Sequence, residues 1–153
     1  MAQGEDASRL QNLVVDTPLK IEPTEHFDRS AWVKLGINSV VNGLTGLTGK
    51  PSGVLRQPGI GAIAEALLHE CWTTGVAAGV DLDLDGVASL VDRIGSNMQG
   101  RTSMQHDRDA GRPTEHDAIH GAVLRKAAEL QVSVPTTQLI HDLLAASSPD
   151  IVV

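Results

Sequence analysis

The chain has 153 residues, of which 41 % are hydrophobic and 20 % charged. This length and composition predict one domain with a buried core and argue against a disordered protein. The formal net charge of −7 argues against nucleic acid as a partner, because binding to phosphate backbones requires clustered lysine and arginine. With one phenylalanine, two tryptophans and no tyrosine, the core must consist of Ala, Val, Leu and Ile, which suits closely packed helices.

The sequence carries few signals of compartment. Cys71 is the single cysteine, which excludes an internal disulfide and fits a reducing compartment; it lies on an apolar stripe and is expected in the core. Gln3, Glu5 and Asp6 do not form the basic segment that opens a signal peptide. Because the sequence also has no run of about eighteen apolar residues, we expect a cytoplasmic protein without a membrane partner.

The first 23 residues are expected to differ from the rest of the chain. They predict a short helix around Asp6 to Val15, a turn at Asp16 to Pro18 and an extended segment from Leu19 to Pro23. From Thr24 onward the pattern is helical, with breaks at glycine and proline. Beyond the segment that begins at Trp32, helices are predicted at Pro58 to Ala78, Gly86 to Met98, Ser103 to Ala110, from Thr114 onward, and Thr136 to Ala146.

The most informative helix lies in the segment from Trp32 to Gly53. Lys34, Asn38 and Asn42 are four residues apart, so at helical pitch they form one polar stripe that is roughly 12 Å long. An ammonium and two carboxamides over that length fit a small polyfunctional substrate. The alternative is an ordinary solvated helix face.

A second stripe of the same helix consists of small residues. Gly36, Ser39, Gly43 and Gly46 share this face, which we call the small-residue stripe. Glycine inside a helix costs roughly 1 kcal/mol relative to alanine. Several glycines in one helix therefore predict that another backbone or a ligand approaches closely.

Three short motifs resemble ligand-binding or metal-binding sites but have simpler structural interpretations. Gly59 to Ala64 matches the G-x-G-x-x-A dinucleotide fingerprint but lacks the hydrophobic strand that should precede it, so we interpret it as a helix start. Asp81 to Gly86 resembles a calcium loop but departs from that motif at several positions, so we interpret it as a loop ending in a helix cap. A cluster of possible metal ligands lacks a complete ligand set and is interpreted as a polar helix entrance, without a metal: His106, Asp107, Glu115, His116, Asp117 and His120.

The helix after Thr114 has its own predicted features. Thr114 and Asp117 match a T-x-x-D variant of the capping box, so they are expected to begin the helix. Its buried face is predicted to include Ile119, Val123 and Leu130.

Two long segments carry a more specific pattern. They are W-V-K-L-G-I-N-S-V-V-N-G-L-T-G-L at Trp32 to Leu47 and S-M-Q-H-D-R-D-A-G-R-P-T-E-H-D-A-I-H-G-A-V at Ser103 to Val123. Together they resemble the C-terminal domain of ketopantoate reductase, also called 2-dehydropantoate 2-reductase. The similarity continues through Leu47 to Leu55, Glu70 to Gly79 and Val134-Pro135.

The resemblance implies a fold and a domain organisation. The implied fold is an all-α domain of the 6-phosphogluconate dehydrogenase C-terminal-like type over residues 24–148. Residues 1–23 would be the remnant of the end of a Rossmann domain, and residues 149–153 a tail. The family reduces 2-dehydropantoate with NADPH at a site between a Rossmann domain and this helical domain. We therefore expect this chain to be incomplete, and inactive by itself, without a Rossmann half.

The resemblance also implies roles for five residues. Lys34 matches the proton-donating lysine, Asn38 and Asn42 match asparagines that contact the substrate, and Ser103 matches a substrate-binding serine. Glu115 matches the active-site glutamate, which would accept a hydrogen bond from a ribose or substrate hydroxyl and orient the lysine. The implied partners are a 2-oxoacid, NADP and either a Rossmann half or a second copy of the chain.

Two departures from the family pattern concern the substrate. His120 stands where the family usually has asparagine in an I-N-G segment, and S-M-L-Q-D has become S-M-Q-H-D at Ser103 to Asp107. Reduction of another 2-oxoacid is therefore an alternative. A second alternative is a stand-alone helical module that dimerises through the small-residue stripe or the segment from Leu19 to Pro23.

Overall fold

The computed structural model describes residues 8–9, 11–19 and 26–148, and every regular element within them is helical. This confirms the all-α prediction for the described residues, and the bounds of four helices lie within two residues of the predicted ones. After helical residues at 8–9 and 11–13, the elements are α1 (Phe27–Thr48), a 3₁₀ turn (Ser52–Arg56), α2 (Pro58–Ala77), α3 (Leu84–Ser96), α4 (Ser103–Asp109), a π-helical turn (Asp117–Gly121), α5 (Ala122–Leu130) and α6 (Pro135–Ser147).

Helix α1 is the centre of the domain. It packs against α2, α3, α4, α6 and the π-helical turn, and it is buried from Ser39 to Gly46. Its apolar face enters a core of aliphatic side chains, each of which contributes about 1.5–3 kcal/mol on burial. Cys71 belongs to this interior, as predicted, and burial raises the pKa of its thiol to about 12.

The small-residue stripe explains how neighbouring elements come so close to α1. A Cβ atom added at Gly43 would lie 2.6 Å from Nε2 of His120, and one at Gly46 would lie 2.7 Å from Sδ of Met104. At Gly36 the nearest atom is a methyl carbon of Leu68, at 3.4 Å. Neighbouring elements therefore approach the stripe closely at Gly43 and Gly46, but through the side chains of His120 and Met104 and not through the predicted backbone or ligand.

Two local interpretations are confirmed. The Gly59 to Ala64 motif lies within the first turns of α2 and follows a 3₁₀ turn, so no strand enters it. The acidic segment ends in a helix cap, because the Asp83 carboxylate accepts a hydrogen bond from the backbone N–H of Gly86, with Asp85 in the first turn of α3.

The helix after Thr114 begins near that residue, at His116, but the predicted cap is wrong. Thr114 does not cap it, because its hydroxyl is 2.9 Å from both His116 Nδ1 and the Ser148 hydroxyl. Asp117 instead accepts a hydrogen bond from Arg125, and the chain enters a π-helical turn before α5 begins. Ile119 and Val123 are buried as predicted, whereas Leu130, at the end of α5, is exposed.

The N-terminal predictions are only partly covered by the described residues. Residues 8–9 and 11–13 are helical and residues 14–16 form a turn, as expected for a short helix ending near Val15. Leu19 has no regular structure, and the remainder of the segment predicted to be extended lies outside the described residues. No helix in the described part of the chain is long and apolar enough to cross a membrane.

Candidate functional site

The polar stripe lies on α1 as predicted, and its burial increases along the helix. Lys34 is exposed, Asn38 is half-buried and Asn42 is only 8 % exposed. Within the described residues, none of the three side chains has a hydrogen bond or an ion pair. The stripe therefore presents one cation near solvent and one carboxamide deep in the protein, each able to bond to a ligand.

Helix α4 packs against the C-terminal part of α1, beyond Asn42. The Thr102 hydroxyl, which caps α4 in a capping box with Gln105, is 2.8 Å from the hydroxyl of Thr45, less than one turn after Asn42. The Arg108 guanidinium donates hydrogen bonds to the carbonyl groups of Gly46 and Leu47 at the end of α1. These contacts hold both ends of α4 against α1.

Ser103 follows directly from this capping residue. It is the first residue of α4 and is exposed. The Thr102–Thr45 contact therefore brings Ser103 to the end of α1 where Asn42 lies. This proximity was not predictable from spacing, since the two residues of the contact are 57 positions apart.

Glu115 lies just before the π-helical turn and is exposed. In the described structure its carboxylate has no hydrogen bond or ion pair, with Lys34 or with any other residue. No observed contact therefore supports its expected role in orienting the lysine, and that role stays a prediction. The turn that follows it nevertheless contacts α1, at Ser39 and Gly43.

His120 makes that contact. In the sequence it stands out only as a departure from the family pattern or as a possible metal ligand. Its side chain is fully buried, and Nε2 is 2.9 Å from the backbone carbonyl of Ser39. Because a carbonyl can only accept, Nε2 carries the proton. Nδ1 has no hydrogen-bond partner of acceptable geometry. Burial lowers the pKa of the ring to about 4, although the carbonyl groups of Ser39 and His116 oppose this effect.

The neighbouring histidines are paired locally. The rings of His116 and His141 are 5.3 Å apart, and His141 lies near Asp117 and Asp142. The Arg125 guanidinium, with smaller contributions from both histidines, lowers the pKa of Asp117. Across the described residues, no group of three or more His, Cys, Asp or Glu side chains is arranged to hold a metal ion.

The buried His120 predicts a pH dependence of stability. The unfolded ring titrates near pH 6.5 and the folded ring near pH 4, so the unfolded state binds more protons between these values. Stability should therefore fall by about 3 kcal/mol as the pH falls from 6.5 to 4. Urea unfolding at several pH values measures this loss. The His120→Asn variant should lack this component. If the free energy of unfolding changed equally with pH in both proteins, the pH dependence would not come from His120.

A surface groove of about 370 Å³ lies away from these residues. It is formed by the 3₁₀ turn, α2 and α3, and it is lined largely by small and aliphatic residues such as Gly61, Ala64, Ala88 and Gly95. None of the five predicted site residues lines it. The candidate site is therefore separate from this groove.

Comparison with known proteins gives consistent matches. Residues 26–148 match the family described as ketopantoate reductase PanE/ApbA C terminal. A 2-dehydropantoate 2-reductase of Mycobacterium tuberculosis is 32 % identical over 146 residues, covering 95 % of this chain and 49 % of that protein. The chain thus spans about half the length of the curated relatives it matches.

Solved structures with the same fold include a ketopantoate reductase and a D-mandelate dehydrogenase. Dimeric ketopantoate reductase from Staphylococcus aureus matches with a TM-score of 0.79 and 25 % identity, over 92 % of this chain and 49 % of that one. D-mandelate dehydrogenase, solved with NADH and anilino(oxo)acetate, matches with a TM-score of 0.82 over 94 % of this chain and 61 % of that one. Its identity of 20 % shows likeness of fold alone.

Proposed function

This chain belongs to the ketopantoate reductase family, and we propose that it is the substrate-binding, lysine-bearing half of an NADP-dependent 2-dehydropantoate 2-reductase. The observation that carries this proposal is the polar stripe of α1, with its exposed ammonium and its increasingly buried carboxamides. We assign nucleotide binding to a Rossmann half outside these 153 residues. A homodimer is part of the proposal, because the Staphylococcus aureus relative is described as dimeric. We also propose a cytoplasmic location.

The proposed chemistry needs one proton at one oxygen. NADPH, when bound, supplies a hydride to the carbonyl carbon of the substrate. The electron pair of the C=O π bond then moves to oxygen, and the Lys34 ammonium stabilises this charge and donates a proton, which yields the alcohol. An exposed lysine without an ion pair among the described residues is available for this role.

The other predicted residues position the reactants. Asn38 and Asn42 donate amide N–H bonds to the carboxylate or hydroxyl oxygens of the substrate, and Ser103 provides a hydroxyl at the deep end of the stripe. Glu115 is proposed to accept a hydrogen bond from a ribose hydroxyl of NADP. Its exposed carboxylate, which has no partner among the described residues, fits such a donor.

Two measurements test the proposal. In the first, pantoate is titrated into the ¹⁵N-labelled chain, and the side-chain amide signals of Asn38 and Asn42 should shift. In the second, the nucleotide-binding half of a relative is added or fused, and NADPH oxidation should depend on 2-dehydropantoate. Other 2-oxoacids serve as competing substrates, and faster turnover of one of them would replace the substrate assignment. Absence of both binding and oxidation would overturn the proposed function and favour a non-catalytic module.

A further inference from the structure

The contact between His120 and α1 joins two segments that carry predicted site residues. The ring is fully buried against the small-residue stripe, where Ser39 supplies the carbonyl and Gly43 supplies the space. These two residues lie on either side of Asn42 in sequence, and Ser39 directly follows Asn38. The contact therefore acts on the turn of α1 that carries both carboxamides.

The other end of the contact is also close to the candidate site. His120 belongs to a π-helical turn that begins two residues after Glu115. Such turns insert one residue into a helix and change the direction of its side chains. Here the turn directs an imidazole towards α1, where it contacts Ser39, 81 residues earlier in the sequence. The contact therefore couples the segment after Glu115 to the helix that carries the polar stripe.

Packing alone does not account for an imidazole at this position. Its Nδ1 atom is buried without a partner, and so is the nearby Ser39 hydroxyl. A buried polar atom without a hydrogen bond is destabilising, and an aliphatic side chain of similar size would avoid this cost. The hydrogen bond to Ser39 is what the imidazole provides and an aliphatic side chain does not.

We propose that His120 is a positioning residue, which holds the Asn38–Asn42 turn of α1 in register with the turn after Glu115 through its Nε2–H bond to Ser39. It does not touch the substrate. The proposal rests on the proposed function for its effect on pantoate, but the bond itself can be tested without any ligand. The low pKa of the ring keeps it neutral at physiological pH, so the bond does not change there.

The first test concerns the ligand-free chain. Long-range ¹H–¹⁵N spectra should show the neutral Nε2–H tautomer for His120. In the His120→Leu variant, which lacks the donor, the side-chain amide signals of Asn38 and Asn42 should move; in His120→Asn, which retains an N–H donor, they should return towards the wild-type positions. Observation of the Nδ1–H tautomer, or unchanged amide signals in His120→Leu, would overturn the proposal even if pantoate binds.

The second test measures pantoate affinity. His120→Leu should weaken binding by about tenfold, because pantoate must then order the turn that the hydrogen bond no longer holds, and His120→Asn should recover most of the affinity. Gly43→Ala should mimic His120→Leu, because its Cβ atom must displace the ring. His69→Leu, at an exposed position of α2, is the matched control and should bind as the wild type does. Equal affinity of the wild type and His120→Leu would contradict the positioning role, whereas no binding by the wild type would contradict the proposed function instead.

Discussion

Replacing Lys34 with alanine should lower kcat of the assembled reductase by about 10²–10⁴-fold, the range expected for loss of a general acid. Lys34 is exposed and has no ion pair among the described residues, so its removal should leave the fold intact. The effect should fall mainly on kcat, because the negative charge on the substrate oxygen develops only during hydride transfer. Steady-state NADPH oxidation with 2-dehydropantoate measures the change.

Two further variants separate the contributions of charge and proton. Lys34→Arg keeps a cation at the site, but a guanidinium does not give up its proton near neutral pH. It should therefore retain electrostatic stabilisation and recover only part of the lost activity. Lys126→Ala removes a lysine whose partner is Glu129 on the surface of α5, and it should keep full activity. If Lys34→Ala were as active as this control, the proton-donor assignment would be wrong.

Replacing Glu70 with alanine should have the largest effect on stability. Glu70 is 9 % exposed and lies on α2, and its carboxylate accepts hydrogen bonds from the backbone N–H groups of Thr136 and Thr137 and from the Thr137 hydroxyl. It therefore caps the N-terminus of α6 from another helix. The loss of three charge-assisted bonds should lower the free energy of unfolding by about 4 kcal/mol.

Urea unfolding followed by circular dichroism measures this change. Glu65→Ala, at an exposed position of the same helix, is the control and should change the free energy by less than about 0.5 kcal/mol. The free energy of unfolding of Glu70→Gln should lie between those of Glu70→Ala and Glu65→Ala, because one terminal atom of the glutamine still accepts a hydrogen bond while the other is a donor. Equal stability of Glu70→Ala and Glu65→Ala would show that the cap contributes nothing.

Part of the candidate site could be predicted from spacing alone. Lys34, Asn38 and Asn42 share a face because helical periodicity is a local property, and α1 is helical from Phe27 to Thr48. Ser103 and Glu115 became candidates only through resemblance to a family. Their positions relative to α1 depend on α4 and the π-helical turn, whose contacts with α1 join distant parts of the chain.

Local patterns are enough to predict the helical class, most helix bounds and the polar stripe, because apolar periodicity, glycine and proline act within a few residues. Only the tertiary structure decided that His120 is buried against Ser39, 81 residues away, and that Glu70 caps α6, 67 residues from Thr137. In the sequence, Glu70 looks like an ordinary polar position, and His120 looks like a departure from the family pattern or a possible metal ligand. Their roles arise because packing against α1 and α6 removes them from water and gives Glu70 three hydrogen-bond donors and the His120 Nε2–H one acceptor.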